Sequence, residues 1–134
     1  MKSLLAALFM LTALAAGAAA VEKKPFDKTR FDALRSAGEV VLVDVFADWC
    51  STCARQQEVI KAYVADNPER ELHILEVNFD RDKEWVRHFR APRQSTLLLY
   101  SGEDQIWFSV AETRPDVIRA EFDKAFVAAA RNGQ

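Results

Sequence analysis

At 134 residues, with 18 Lys and Arg against 20 Asp and Glu and a net charge of −2, the chain has the length of one compact domain and no room for a second core. No block of basic residues runs through it, so nothing in its charge supports binding to nucleic acid or to an anionic membrane surface. No internal repeat, low-complexity tract or Gly/Pro/Ser-rich linker interrupts it.

The first segment is a sorting signal by pattern. Lys2 is followed by an uncharged run from Ser3 to Val21, rich in Leu, Ala and Phe and ending in Ala18-Ala19-Ala20. That is the order of a positive end, an apolar stretch and a small-residue cleavage site. We therefore expect a signal peptide at 1–20, a mature domain at 21–134 and a periplasmic location. An uncleaved membrane anchor is the alternative, because the run is just long enough to cross a bilayer. No cysteine follows the run, which argues against a lipid-modified N-terminus.

The rest reads as alternating elements. A short edge strand is predicted at Phe26–Asp27, then a helix from Lys28 to Ala37 stopped by Gly38. Val40-Val41-Leu42-Val43-Asp44-Val45-Phe46 is almost unbroken apolar and β-branched, the mark of a strand buried on both faces. Cys50 through Tyr63 has helical patterning with neither Gly nor Pro inside it, and should end near Asp66-Asn67-Pro68. Leu72–Phe79 is expected as a second core strand. Asp82–Phe89 reads as a short helix with Trp85, Val86 and Phe89 on one side. Thr96–Tyr100 and Gln105–Val110 read as a hairpin joined through Ser101-Gly102-Glu103-Asp104. A last helix is predicted from Thr113, with its hydroxyl and Asp116 forming a capping box. Val117, Ile118, Phe122, Phe126 and Val127 recur at helical spacing and are assigned to the core.

The chemistry centres on Trp49-Cys50-Ser51-Thr52-Cys53, which holds the only two cysteines. A loop this small gives a disulfide only about 2 kcal/mol in the chain-entropy model, so the pair makes a poor staple. It follows a buried strand and opens a helix, where unpaired N–H groups and the helix dipole favour an anion. A thiol lowered from a free pKa of about 8.5 to about 7 passes from a few per cent thiolate at neutral pH to roughly half, and thiolate is the nucleophile of disulfide exchange. Cys50 is therefore assigned as attacker and Cys53, one turn into the helix, as resolver. A permanent local disulfide or half of a zinc site is the alternative. Zinc would need His73 and His88, which lie at separations unlike known finger or ribbon spacings.

Asp44 is the third candidate. It shares a strand face with Leu42 and Phe46, so its carboxylate should be desolvated, its pKa raised and its function that of a proton acceptor. An Asp hydrogen-bonded into the core or reaching solvent at the strand end is the alternative.

Val41-Leu42-Val43-Asp44-Val45-Phe46-Ala47-Asp48-Trp49-Cys50-x-x-Cys53 resembles the active-site strand and turn of the thioredoxin family. Asn78-Phe79-Asp80 resembles the end of that family's next strand, and Ser95-Thr96-Leu97-Leu98-Leu99-Tyr100 the strand that opens with its cis-proline. Ala47-Asp48-Trp49-Cys50 is also similar to the thioredoxin-like domain on the periplasmic face of membrane thiol transporters. The resemblance implies an α/β thioredoxin-like fold, a central mixed β-sheet flanked by helices on both faces. It implies Asp44 as base for Cys53, Trp49 beside the thiol as a docking surface, and Ser95 and Thr96 as substrate-binding residues. Ser51 and Thr52, replacing the usual Gly-Pro, would tune the redox potential.

The sequence also departs from the family. Ser95 stands where cis-proline is expected, so either the Gln94-Ser95 bond is cis at a cost of about 2.5–4 kcal/mol or the loop is rebuilt. A rebuilt, less shielded pair could bind a soft metal such as Cu(I). Glu58 replaces a kink-forming proline, which should leave the helix straighter. Glu76 replaces a Lys near the buried Asp, and should push the pKa of Asp44 further up.

Together these readings imply a monomeric periplasmic thiol–disulfide oxidoreductase working in the reducing direction, with no cofactor and no metal. Its partners would be protein disulfides and, as electron donor, a membrane thiol transporter. The alternatives are a non-enzymatic thioredoxin-fold module binding a soft metal or a protein, and a disulfide oxidase or isomerase.

Overall fold

The computed structural model describes residues 21–133; the expected signal segment at 1–20 lies outside them. The elements run β1 (Lys23–Pro25), α1 (Lys28–Ser36), β2 (Val40–Phe46), α2 (Ser51–Asp66), β3 (Leu72–Asn78), α3 (Lys83–His88), β4 (Thr96–Ser101), β5 (Asp104–Val110) and α4 (Pro115–Asn132). The strands form one sheet in the order β1-β3-β2-β4-β5. β1 and β2 pair parallel with β3, whereas β4 is antiparallel to β2 and β5 antiparallel to β4. The sheet is mixed, as expected, and β2 lies at its centre.

Helices cover both faces. On one, Phe31 of α1, Val86 of α3 and Phe89 just after α3 pack on Val41, Val43, Val45, Leu75 and Leu98. On the other, Ile60 and Tyr63 of α2 and Ile118, Phe122 and Ala125 of α4 pack on Leu42, Ile74, Leu97 and Leu99. A strand buried on both sides gains nothing from polar alternation, and every residue of β2 from Val40 to Val45 is buried. α1 stops because Gly38 takes a φ of +79°, which lets the Gly38 and Glu39 N–H groups bond back to the Arg35 and Leu34 carbonyls.

Two boundaries and one core assignment differ from the sequence reading. The edge strand lies at Lys23–Pro25 and not at Phe26–Asp27, because Phe26 turns into an aromatic cluster with Phe31, Trp85 and Phe89 and Asp27 caps α1 by accepting from the Arg30 N–H. The capping box at Thr113 does not form. Pro115 disfavours helical backbone at the residue before it, so α4 starts at Pro115, and the Glu112 carboxylate accepts from the Thr113 and Arg114 N–H groups instead. Arg114 also bonds this carboxylate through its side chain, and holds its pKa down at about 2. Val127 is 47% exposed and lies outside the core.

Candidate active site

β2 ends at Phe46, and the turn Ala47–Trp49 delivers the chain to α2 with Cys50 as its N-cap. Cys50 and Cys53 are joined as a disulfide with a Cα–Cα distance of 5.2 Å. The backbone N–H of Cys53 donates to Cys50 Sγ at 3.1 Å. An N-cap sulfur thus takes the place that a capping oxygen usually holds, at the helix end where negative charge is favoured. Cys50 is 7% exposed and Cys53 2%, so Cys50 is the more accessible of two shielded sulfurs. α2 continues unbroken through Glu58 to Asp66.

Behind the cysteines, Asp44 is fully buried in the middle of β2. Its register partners are Glu76 on β3 and Leu97 on β4. Desolvation pushes its pKa up to about 6; the charge of Lys23 opposes that rise, Glu76 adds to it, and the Gln57 hydrogen bond opposes it. Gln57 of α2 donates to Asp44 Oδ2 at a long 3.5 Å, and Oδ1 has no partner among the described residues. Lys23 Nζ lies 3.4 Å from Glu76 Oε1. Position 76 itself carries a carboxylate, and the cation near Asp44 is supplied from β1 by Lys23. A small cavity touches Cys50, Cys53, Gln57 and Glu76 together, and connects the dithiol to the surroundings of Asp44.

Trp49 is 66% exposed, and its indole N–H donates to Asp80 Oδ2 at 2.8 Å. Asp80 is held in turn because Asn78 Oδ1 accepts from the Asp80 and Arg81 N–H groups, and Arg81 pairs with Asp48 at 2.8 Å. The ring beside the dithiol is thus presented to solvent by a built loop. Ser51 is exposed and Thr52 half-buried in the first turn, where Thr52 Oγ1 accepts from Arg55 at 3.4 Å.

The loop entering β4 is rebuilt. No peptide bond among the described residues is cis, and Ser95 instead has a φ of +60°. An L-residue held in that region costs about 1–2 kcal/mol. Ser95 and Thr96 are both fully buried. Their hydroxyls donate to the Gln94 carbonyl at 2.5 Å and to the Arg93 carbonyl at 2.7 Å. Both side chains close the turn from inside. In the disulfide form the cysteines are buried with no proline at this position.

Gln56 is a residue the sequence reading passed over. It is fully buried and donates from Nε2 to the Ser95 carbonyl at 3.2 Å and to the Glu112 carbonyl at 2.9 Å. The signal was present: Cys53, Gln56, Ile60 and Tyr63 form the buried stripe of α2, and Gln56 is the polar member that stripe would not otherwise contain.

The thioredoxin family profile matches residues 20–124. Among sequence relatives, a thioredoxin of Chlamydia trachomatis is 30% identical over 74 residues, which is 55% of this chain and 71% of the relative. Thioredoxin 1 of Chlorobaculum tepidum is 26% identical over 98 residues, 73% of this chain and 96% of the relative. Among solved structures, Trxlp from Edwardsiella tarda superposes with a TM-score of 0.68 at 35% identity, over 74% of this chain and 96% of that one. A point-mutant thioredoxin from Halobacterium salinarum shares the fold at a TM-score of 0.65 and 22% identity, covering 81% and 96%. With a profile match across most of its length and the paired cysteines at the head of α2, the chain belongs to the thioredoxin family and is a thiol–disulfide oxidoreductase.

Proposed function

We propose that this protein reduces protein disulfides in the periplasm, with Cys50 as nucleophile, Cys53 as resolving thiol and Asp44 as proton acceptor. The observation that carries the assignment is the hydrogen bond from the Cys53 N–H to Cys50 Sγ at the start of α2. It places donor and dipole on the sulfur that is to carry negative charge.

In the reduced protein the Cys50 thiolate attacks one sulfur of a substrate disulfide. A Cys50–substrate disulfide forms, and the first substrate sulfur leaves as a thiolate that takes a proton from water. Cys53 then loses its proton toward Asp44, by way of the cavity that Cys53 borders with Gln57 and Glu76, the hydrogen-bond and register partners of Asp44. Its thiolate attacks Cys50 Sγ, forms the Cys50–Cys53 disulfide and releases the second substrate thiolate. Two electrons pass to the substrate, and the protein is left in the disulfide state seen here. A dithiol donor must return them, and the resemblance of Ala47-Asp48-Trp49-Cys50 to membrane thiol-transporter domains favours a donor of that class.

Export rests on the charged and apolar pattern of residues 1–20, and the reducing direction on Trp49-Cys50 standing over a buried Asp. Trp49 is the docking surface in this reading, Ser51 and Thr52 tune the potential, and the protein acts as a monomer. Insulin reduction with dithiothreitol tests the proposal. Wild type should exceed the dithiothreitol blank and Cys50→Ser should not; a wild type no faster than the blank would refute it.

A further inference from the structure

Two residues without the freedom of glycine sit in left-handed backbone beside the cysteine helix: Ser95, with a φ of +60°, and Ala111, with a φ of +60°. They belong to different loops, one entering β4 and the other leaving β5. The Ala111 N–H donates to the Ser95 carbonyl at 2.8 Å, and Thr96 and Val110 are register partners just inside the sheet. Such conformations persist only where the surroundings over-determine them, and they concentrate at functional sites.

Gln56 is what over-determines them. It stands one turn beyond Cys53 on α2, and its carboxamide reaches the Ser95 carbonyl and the Glu112 carbonyl from one nitrogen. The second carbonyl belongs to the residue after Ala111. One buried side chain thus ties the cysteine helix to both left-handed loops. The arrangement is specific in chemistry: Nε2 uses its two N–H groups as donors, while Oε1 has no partner among the described residues. A buried carboxamide with an unsatisfied oxygen is costly to keep, and an apolar residue of the same size would fill this space without that cost.

We infer that Gln56 is a positioning residue that fixes the Ser95 and Ala111 loops against α2, and so sets how a protein disulfide seats beside Cys50. The inference rests on the disulfide-exchange reading above. Gln56 touches neither sulfur, so its removal should leave the intrinsic reactivity of the pair intact and disturb the part of the surface that a large substrate must meet.

The test compares two substrates on the full chain: insulin, which needs docking, and 5,5′-dithiobis(2-nitrobenzoate), which needs only an accessible thiolate. Gln56→Met keeps length and volume but removes both donors. Its kcat/KM for insulin should fall about tenfold, chiefly through KM, because the two buried bonds that hold the Ser95 and Ala111 loops in place are lost. The rate with the small disulfide should stay within about twofold, and the Ala111 amide should exchange its hydrogen faster than in wild type. Equal losses on both substrates, or unchanged insulin kinetics with unchanged Ala111 exchange, would overturn the inference. A wild type inert toward both would instead bring down the disulfide-exchange reading, and this inference with it. If Gln56→Met does not fold, Gln56→Asn carries the same comparison, since it retains an amide too short to reach both carbonyls.

Discussion

Asp44 and Glu76 face each other as register partners on the parallel strands β2 and β3, with Lys23 reaching Glu76 from β1 at 3.4 Å. Three strands thus bring two carboxylates and one ammonium to the face that α2 covers. Burial alone would push the Asp44 pKa up; Lys23 holds it back and Glu76 adds to the rise, leaving it at about 6. At neutral pH the group is mostly ionised and able to accept a proton, yet close enough to its pKa to give that proton back.

The first prediction concerns stability. Asp44 titrates at about 6 folded and near 3.8 unfolded, so the unfolded state loses its proton first. The protonated, buried form is fully stabilising below pH 4, and that advantage is lost as pH rises toward and through 6. The full shift corresponds to about 3 kcal/mol. Asp44→Asn should therefore gain stability relative to wild type between pH 4 and 7, and urea unfolding at both ends of that range measures it. A difference between the two proteins that does not change with pH would refute the assignment.

The second prediction separates the neighbours of Asp44. Lys23→Met should raise its pKa and Glu76→Gln should lower it, because the two charges act in opposite directions. Carbon-13 NMR of the Asp44 carboxyl reads both shifts. Movement in the same direction would show that the Lys23–Glu76 pair does not act on Asp44 electrostatically.

A third prediction follows from the order of the sulfurs along α2. Cys53→Ser should accumulate a covalent adduct with a substrate disulfide, while Cys50→Ser should form none. Mass spectrometry after mixing with a disulfide peptide distinguishes them. An adduct on Cys53 in the Cys50→Ser protein, at wild-type rate, would reverse the roles.

The fourth concerns Trp49. Its ring is largely in solvent, so Trp49→Ala should change unfolding free energy by no more than about 0.5 kcal/mol while raising KM for insulin. By contrast, Phe122→Ala, in the core between α4 and the sheet, should cost about 3–5 kcal/mol. Thermal unfolding beside insulin kinetics checks both. A Trp49→Ala protein as unstable as Phe122→Ala would make Trp49 a packing residue.

Much of this was legible in the sequence because its signals are local. The apolar run of β2, the Gly38 stop and the cysteines at a helix start each follow from a few adjacent residues, and the burial of Asp44 follows from its place in that run. What was hidden depends on residues far apart in the chain. Lys23 matters only once β1 is registered against β3, and the edge strand is too short to carry a pattern of its own. The Ser95 loop is held by Gln56 and Ala111, distant in sequence, so Ser95 alone could not reveal whether the turn would be cis, open or left-handed. At the start of α4, Pro115 outweighed the capping preference of Thr113.

The central claim is that the Cys50–Cys53 pair works as a reductant. The equilibrium potential of the pair in glutathione buffers tests it most directly. We predict a value near the about −270 mV typical of thioredoxins. A value near about −120 mV, that of a strong periplasmic oxidant, would contradict the account and reverse the direction of the reaction.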